Sequence, residues 1–390
     1  MREKIEYLKH YDGRALRLME VCGTHTAGIF KSGLRSVLPE SIRLISGPGC
    51  PVCVTPTSYI DKCVEYALAP GFALVSFGDM MKVPGGAAGG AAEGGAAVSG
   101  GAVGGSTEGG VTNGGAVGGA ANGGTDDVPV SLDRAKGFGA RVELAYSPFD
   151  AIGMAGREPD TMFVVAAVGF ETTAPAYALL MDEIVGRGIK NLSLLTALKS
   201  AIPAIEWVCE NSPSPIDGFL CPGHVSVVTG SRAYEPLAEK YGKPFVVGGF
   251  EEAHLVDAVY ELVRLASREG GGGTVVNRYA EAVSEQGNVK AREATDRYFD
   301  LDAAVWRGLG PIDASGMYLK PQYREFDAGS RGLTGGAAPP EGCRCADIIT
   351  GGIDPPECPL FGKSCTPENA QGPCMVSAEG ACGVWYQNVV

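Results

Sequence analysis

Cys343, Cys345, Cys358, Cys365, Cys374 and Cys382 stand close together near the end of the chain. Their spacing is Cys-x-Cys-x12-Cys-x6-Cys-x8-Cys-x7-Cys. Thiolates in this number hold either an iron–sulfur cluster, which takes four, or zinc, which can also take four. Structural zinc sites use paired Cys-x2–4-Cys knuckles. Here only Cys343 and Cys345 pair so closely, with one residue between them. Prolines adjoin Cys358 and Cys374 (Pro359 and Pro373), a neighbour often met beside cluster thiolates. We therefore expect an iron–sulfur cluster, with a zinc staple as its rival. Disulfides alone do not suit a reducing compartment. Six cysteines exceed four ligands, so two spare thiols can form a redox pair beside the cluster.

A second constellation is Gly47-Pro48-Gly49-Cys50-Pro51-Val52-Cys53, directly after an apolar run. A Cys-x-x-Cys at a helix N-terminus favours the thiolate, because unpaired N–H groups and the helix dipole stabilise negative charge. Thr55 or Thr57 is the expected cap of that helix. Cys50 and Cys53 are thus a dithiol/disulfide switch or half a metal site. The third constellation is Cys22-Gly23-Thr24-His25, where a thiol and an imidazole in one tight loop can bind a metal or activate sulfur. Three further polar motifs end apolar runs: Phe170-Glu171-Thr172-Thr173, Pro222-Gly223-His224-Val225-Ser226 and Gly249-Phe250-Glu251. Ligands of parallel sheets bind beyond the carboxyl ends of strands. A shared cleft holding Cys22, Cys50, Cys53, His25, His224, Glu171 and Glu251 follows. His254, Cys63 and Cys209 read as structural. No phosphate-cradling Gly-x4-Gly-Lys-Ser/Thr pattern is present.

The elements that must position these groups are short apolar runs at 16–21, 42–46, 72–77, 142–146, 162–168, 192–197, 218–220 and 245–247. Most are followed by amphipathic stretches, the signature of βα units and parallel sheets. The fold class expected is α/β: two parallel-sheet lobes flanking a cleft, plus a small C-terminal iron–sulfur domain. Residues 1–160 form the first lobe, 161–270 the second, and 271–390 a helical segment with the Cys-rich domain. Between 85 and 124 the chain is almost all Gly and Ala, too poor in burial to offset its ordering entropy, and reads as a flexible insertion. A shorter flexible stretch is expected at 269–273. Residues 275–326 read mostly as helix, with Tyr279, Val283 and Val289 on a buried face.

With 390 residues, 45% hydrophobic and 20% charged, the chain can build real cores. The net charge of −13, with scattered Lys and Arg, argues against nucleic acid and anionic membranes. No apolar run reaches membrane-spanning length, and residues 1–17 lack a signal-like apolar stretch. A cytoplasmic location is expected, and twelve cysteines there point to metal or redox chemistry.

Taken together, the motifs at 19–26, 47–53, 170–173 and 222–226 and the array from Cys343 to Cys382 resemble the HypD family of nickel–iron hydrogenase maturation proteins. Glu357-Cys358-Pro359-Leu360-Phe361-Gly362 and Gly372-Pro373-Cys374-Met375-Val376-Ser377 look like that family's C-terminal signature. The resemblance covers nearly the whole chain apart from the Gly/Ala insertion. It implies a 4Fe–4S cluster on Cys343, Cys358, Cys365 and Cys382, with Cys345 and Cys374 as a redox pair. It further implies that Cys22 holds iron jointly with a HypC-type chaperone, while Cys50 and Cys53 form a second redox dithiol. The implied role is a scaffold on which iron receives two cyanides and one carbon monoxide. Cyanide comes from a HypE-type donor, and the product passes to the hydrogenase large subunit. A cluster-fed thiol–disulfide oxidoreductase is the alternative, and a zinc-stapled binding module a third reading.

Overall fold

Apolar runs with Val, Ile and Leu on both faces suit strands buried on both sides. Met162–Gly169 is one, with seven of its eight residues buried. The computed structural model describes residues 1–86, 131–268, 270–333 and 340–390. The expected insertion therefore lies outside the described residues from position 87 onward, as does Glu269 of the second Gly-rich stretch. All eight apolar runs form strands: β1 (Leu16–Glu20), β2 (Ile42–Ser46), β3 (Phe72–Ser76), β4 (Val142–Leu144), β5 (Met162–Gly169), β6 (Leu192–Lys199), β7 (Gly218–Pro222) and β8 (Phe245–Gly248).

Three more strands follow: β9 (Val275–Asn277), β10 (Phe299–Trp306) and β11 (Gly310–Leu319). They correct the helical reading of 275–326, where the one α-helix is Val289–Tyr298. Gly308 and Gly310, both at positive φ, turn β10 back on β11 as an antiparallel hairpin. Val283 is buried, but in a loop, and Val289 is 42% exposed, so the helical face proposed for them does not exist.

The strands make two sheets. One is parallel throughout, in the order β2-β1-β7-β8-β9. The other has the order β10-β11-β6-β5-β3-β4, parallel from β4 to β6 with the hairpin added antiparallel. Both sheets draw on both sides of position 160. β1 and β2 pair with β7 and β8, while β3 and β4 join β5 and β6. A boundary near Pro159 suits the composition shift there, but pairing register joins distant segments, Leu18 opposite Gly218 for example.

Helices cover both faces of each sheet, as parallel sheets require. Glu252–Ala266 packs Leu255, Val259 and Leu262 against Leu18, Leu220 and Val246. Ala174–Arg187 packs Tyr177, Met181 and Ile184 against Phe163 and Val165. Each such fully buried side chain contributes about 1.5–3 kcal/mol. Among the described residues no helix is long and apolar enough to cross a membrane.

The segment after Phe326 is built differently. Its helices are short: Cys345–Ile349, Pro373–Val376 and Ala381–Val389. Cys358, Cys365, Cys374 and Cys382 share one apolar cluster with Cys50, Cys53, Phe170 and Trp306. This tail docks on the first sheet. Arg17 donates to the Gly351 carbonyl at 2.5 Å and Arg43 pairs with Asp354 at 3.1 Å. At the far end, Trp385 meets Phe30 edge-on, and the Arg35 guanidinium lies over both rings while pairing with buried Glu20 at 2.9 Å.

Candidate functional site

β1 and β7 of one sheet and β5 and β6 of the other point their carboxyl ends at a common cavity of about 250 Å³. Cys22 and Thr24 follow β1 into it. Pro48, Gly49 and Pro51 come from the turn after β2. Gly169, Phe170, Thr172 and Thr173 come from the end of β5, and Pro222, His224 and Val225 from that of β7. Four of the five sequence motifs therefore meet here. The fifth contributes from behind: Phe250 stacks on His224 at 3.9 Å and on His25 at 4.7 Å.

Cys22 precedes the helix Gly23–Lys31 as its N-cap, in extended conformation. Its thiol is nearly buried, and burial pushes it up to about 11, against the N–H groups of His25 and Thr24 that favour the thiolate. The loop carrying Cys50 and Cys53 lies directly on the Cys22 backbone. A Cβ on Gly49 would stand 2.4 Å from the Cys22 nitrogen, so only glycine lets the two motifs approach this closely.

His25 does not line the cavity. It is fully buried, its Nε2 is 3.1 Å from the Gly248 carbonyl, and burial pulls it down to about 4. It is a neutral strut that ties the Cys22 helix to the end of β8. His224, by contrast, is exposed at the cavity. Glu171 also turns away. Its Oε1 accepts from Ser200 Oγ at 2.7 Å and the Ala201 N–H at 2.9 Å, and burial pushes its carboxyl up. It fixes the end of β5 to the start of the helix Ala201–Asn211 and lines a second cavity of about 180 Å³ with Ser200, Thr229 and Asp296. Glu251, expected in the cleft, is the exposed N-cap of the helix Glu252–Ala266. His254 pairs with Glu281 at 2.8 Å, while Cys63 is fully buried in the core and Cys209 half-buried beside another apolar cluster.

Cys50 and Cys53 are joined by a disulfide. They lie in a tight turn four residues and more before the helix Thr57–Leu68, not at its first turn as the sequence suggests. Pro56 is the N-cap, and Thr55 Oγ1 instead donates to the Pro51 carbonyl at 2.9 Å. Behind the disulfide a void of about 10 Å³ is shared by Cys50, Cys53, Cys374 and Glu379. Cys53 Sγ is 3.9 Å from the Pro373 carbonyl.

Around the next turn of the tail, Cys343, Cys345, Cys358, Cys365 and Cys382 line a further void of about 10 Å³. Cys343 and Cys345 Sγ are 3.4 Å apart. The Cys345 contact, then burial, pushes the Cys343 thiol up, and the same two causes act on Cys382. A Cβ on Gly372 would stand 2.7 Å from Cys345 Sγ and 3.1 Å from Cys343 Sγ. The Gln371 N–H donates to Cys365 Sγ at 3.4 Å. Among the described residues no three or more His, Cys, Asp and Glu side chains converge on a single-ion site.

One cavity residue carried no sequence signal. Glu379 comes from the tail and forms a lip over Cys22, accepting from Thr24 Oγ1 at 2.8 Å. Its type and its Ser-Ala-Glu-Gly surroundings are ordinary, and only the docking of the tail brings it there.

The sequence model described as HypD, "Hydrogenase formation hypA family", matches residues 1–96 and 124–389. The stretch between those ranges falls within the Gly/Ala-rich segment. The hydrogenase maturation factor HypD of Escherichia coli (strain K12) is 37% identical over 99% of this chain and 93% of its own length. The protein of the same name from Azotobacter vinelandii is 37% identical over 96% and 89%. The hydrogenase expression/formation protein HupD of Azotobacter chroococcum mcd 1 is 36% identical over the same shares. A family match spanning both sheets and the cysteine tail, with relatives this similar over nearly their whole length, places the chain in the HypD family.

Proposed function

We propose that the chain is a hydrogenase maturation factor on which an iron substrate is held by Cys22 while cyanide and carbon monoxide are placed on it. One observation carries this reading: a buried thiol faces a cavity of about 250 Å³ at the ends of both sheets, with the disulfide-bearing turn packed on its backbone. A soft thiolate suits iron bearing strong-field ligands. Because the thiol is pushed up to about 11, loading iron displaces its proton. The N–H groups of Thr24 and His25 then hold the resulting thiolate. Val21, Val168, Phe170 and Ile205 keep the cavity largely apolar. His224 supplies an imidazole N–H for a cyanide nitrogen. His25 positions the helix and takes no part in proton exchange near neutral pH.

A 4Fe–4S cluster on Cys343, Cys358, Cys365 and Cys382 fits the donor set. These four thiols line a common void together with Cys345. Cys358, Cys365 and Cys382 sit in one apolar cluster, and Gly372, having no Cβ, lets the Cys345 and Cys343 sulfurs approach its backbone. When bound, the cluster supplies one-electron chemistry. This chain's own part is to hold Cys345 at that site and Cys374 beside the Cys50–Cys53 disulfide, whose opening takes two electrons and two protons. A HypC-type partner completes the cavity at Cys22 and a HypE-type protein delivers cyanide, with the hydrogenase large subunit as final acceptor. The chain acts in the cytoplasm.

The test is infrared spectroscopy of the anaerobically purified complex with the HypC-type partner. Cyanide and carbon monoxide stretches are expected in the wild type and absent in Cys22→Ala. Stretches that persist in Cys22→Ala overturn the reading. The oxidoreductase reading is favoured if Cys22→Ala still reduces a partner disulfide and still supports maturation.

A further inference from the structure

The second cavity, of about 180 Å³, has no role in the reading above. It lies where the end of β5 and the helix Gly223–Thr229 face the helix Val289–Tyr298 and the β10–β11 hairpin. Its hydroxyl groups have already spent their hydrogens. Ser200 Oγ donates to Glu171 Oε1 at 2.7 Å, Thr229 Oγ1 to the Val225 carbonyl at 3.2 Å and Thr295 Oγ1 to the Ala291 carbonyl at 3.0 Å. Each is left with lone pairs, which only accept. Arg292 is the one cation among the described lining residues, and its Nη1 is taken by the carbonyls of Val228, Thr229 and Gln286. Against it stand three carboxylates, those of Glu171, Asp296 and Asp300, and of these Asp300 has Lys320 at 3.7 Å. The lining is therefore rich in acceptors and negative in balance.

Glu171 is the lining group with an unmet need. It is 8% exposed, and its Oε1 accepts from Ser200 Oγ and the Ala201 N–H. Its Oε2 is buried and has no hydrogen-bond partner among the described residues. A buried acceptor without a donor is costly, and more so when it carries charge. Burial accordingly pushes the Glu171 carboxyl up. A donor that also brings positive charge would meet both needs at once.

We propose that this cavity binds a small organic cation, an alkylammonium or guanidinium group on a short apolar body, whose N–H groups donate to buried Glu171 and exposed Asp296. Ile202, Val228, Phe299 and Met317 line the cavity with apolar surface for the body of the ligand. Three carboxylates repel an anion, and a neutral molecule leaves the Glu171 charge unbalanced. The volume is below the roughly 300–1,000 Å³ of pockets for drug-sized molecules, which keeps the ligand small. Neither Cys22 nor the cysteine tail takes part, so the site goes beyond the iron reading and does not rest on it.

The experiment titrates the full chain, as wild type, E171Q and D296N, with methylguanidinium, ethylammonium, methylurea and acetate by isothermal titration calorimetry. Wild type should bind at least one of the two cations at a single saturable site, and neither methylurea nor acetate. E171Q should weaken that binding about tenfold, because a hydrogen bond to a charged group becomes a neutral one. D296N should weaken it about threefold, because its carboxylate is exposed. No saturable site for either cation in wild type overturns the proposal, and so does methylurea binding as tightly as the cations. Diffuse attraction of cations to a chain of net charge −13 would be the same in E171Q and would disappear in high salt, and that result also overturns it. Should E171Q fail to fold, D296N/D300N decides, since both carboxylates are exposed: an affinity equal to wild type refutes the site.

Discussion

The sheet-built body and the cysteine tail solve the same problem by different means. In the body, strands such as β5 and β6 bury nearly every residue, and their ladder pairing sets the register of elements that apolar packing holds together. In the tail, helices of five, four and nine residues are too short to be stable by themselves. Cys358, Cys365, Cys374 and Cys382 are part of their shared core. The body therefore places its functional side chains by backbone geometry, whereas on the proposed reading the tail depends on the metal its sulfurs would bind. At the cavity the two meet where the tail's Glu379 and Cys374 lie beside the body's Cys22 and the Cys50–Cys53 disulfide.

The largest expected effect breaks that comparison directly. Chelating the metal, or substituting Cys365→Ser, should abolish hydrogen-exchange protection in Cys345–Ile349 and Ala381–Val389 while leaving β5 and β6 protected. This follows if metal binding is folding free energy for the tail. Equal protection with and without metal would mean that the Trp385–Phe30 and Arg17–Gly351 contacts hold the tail on their own.

The body has its own weak points, and each is a buried titratable group. His25 titrates near 4 when folded and near 6.5 when unfolded. Between those values the unfolded chain binds a proton that the folded chain refuses. Stability is therefore unaffected above pH 6.5 and is lost as pH falls toward 4, by about 3 kcal/mol from this residue. His25→Gln should flatten that part of the profile, measured as urea midpoints at pH 7 and 4.5. An unchanged slope would show that His25 is solvated.

Lys199, at the end of β6, is 3% exposed and has the Trp306 ring 5.7 Å away as its one ring partner. Burial pulls it down to about 8, against 10.5 unfolded, so wild-type stability rises as pH goes from 8 to 10.5. At pH 7 the buried charge costs about 3 kcal/mol, less about 1 kcal/mol returned by the ring. Lys199→Met should stabilise the body by about 2 kcal/mol at pH 7 and lose the alkaline rise. Destabilisation would mean that the ammonium has an anionic partner in solution.

The same contrast explains what could be read in the sequence. Eight strands were legible because each is an apolar run leading into a turn with Gly, Pro, Ser or Cys. Cys22, His224 and the Gly-Pro-Gly-Cys turn were legible as a common cleft because parallel strands deliver their ends to one edge. The pairing of β1 with β7 was not, since register between runs two hundred residues apart leaves no local trace. The hairpin at 299–319 was missed because β10 has exposed Asp300 and Asp302 and only intermittent apolar spacing. His25 and Glu171 have the right types for chemistry, and only their burial assigns them to struts. In the tail, cysteine spacing announced thiols gathered around one void, but nothing in the residue types announced Glu379.

The smallest expected effect sharpens the comparison at the seam itself. The Thr24–Glu379 hydrogen bond is exposed, so Glu379→Gln should cost less than about 1 kcal/mol in unfolding. Its electrostatic effect on the body is separable. The Glu379 carboxylate raises the Cys22 thiol beyond what burial does, so neutralising it should lower that pKa and increase the thiolate fraction at a given pH. Alkylation of Cys22 by iodoacetamide, followed between pH 8 and 10, should be faster in Glu379→Gln than in wild type, because the thiolate is the reacting form. A rate that stays the same at every pH would make the lip a steric cover only. The body would then set the reactivity of Cys22 without help from the tail.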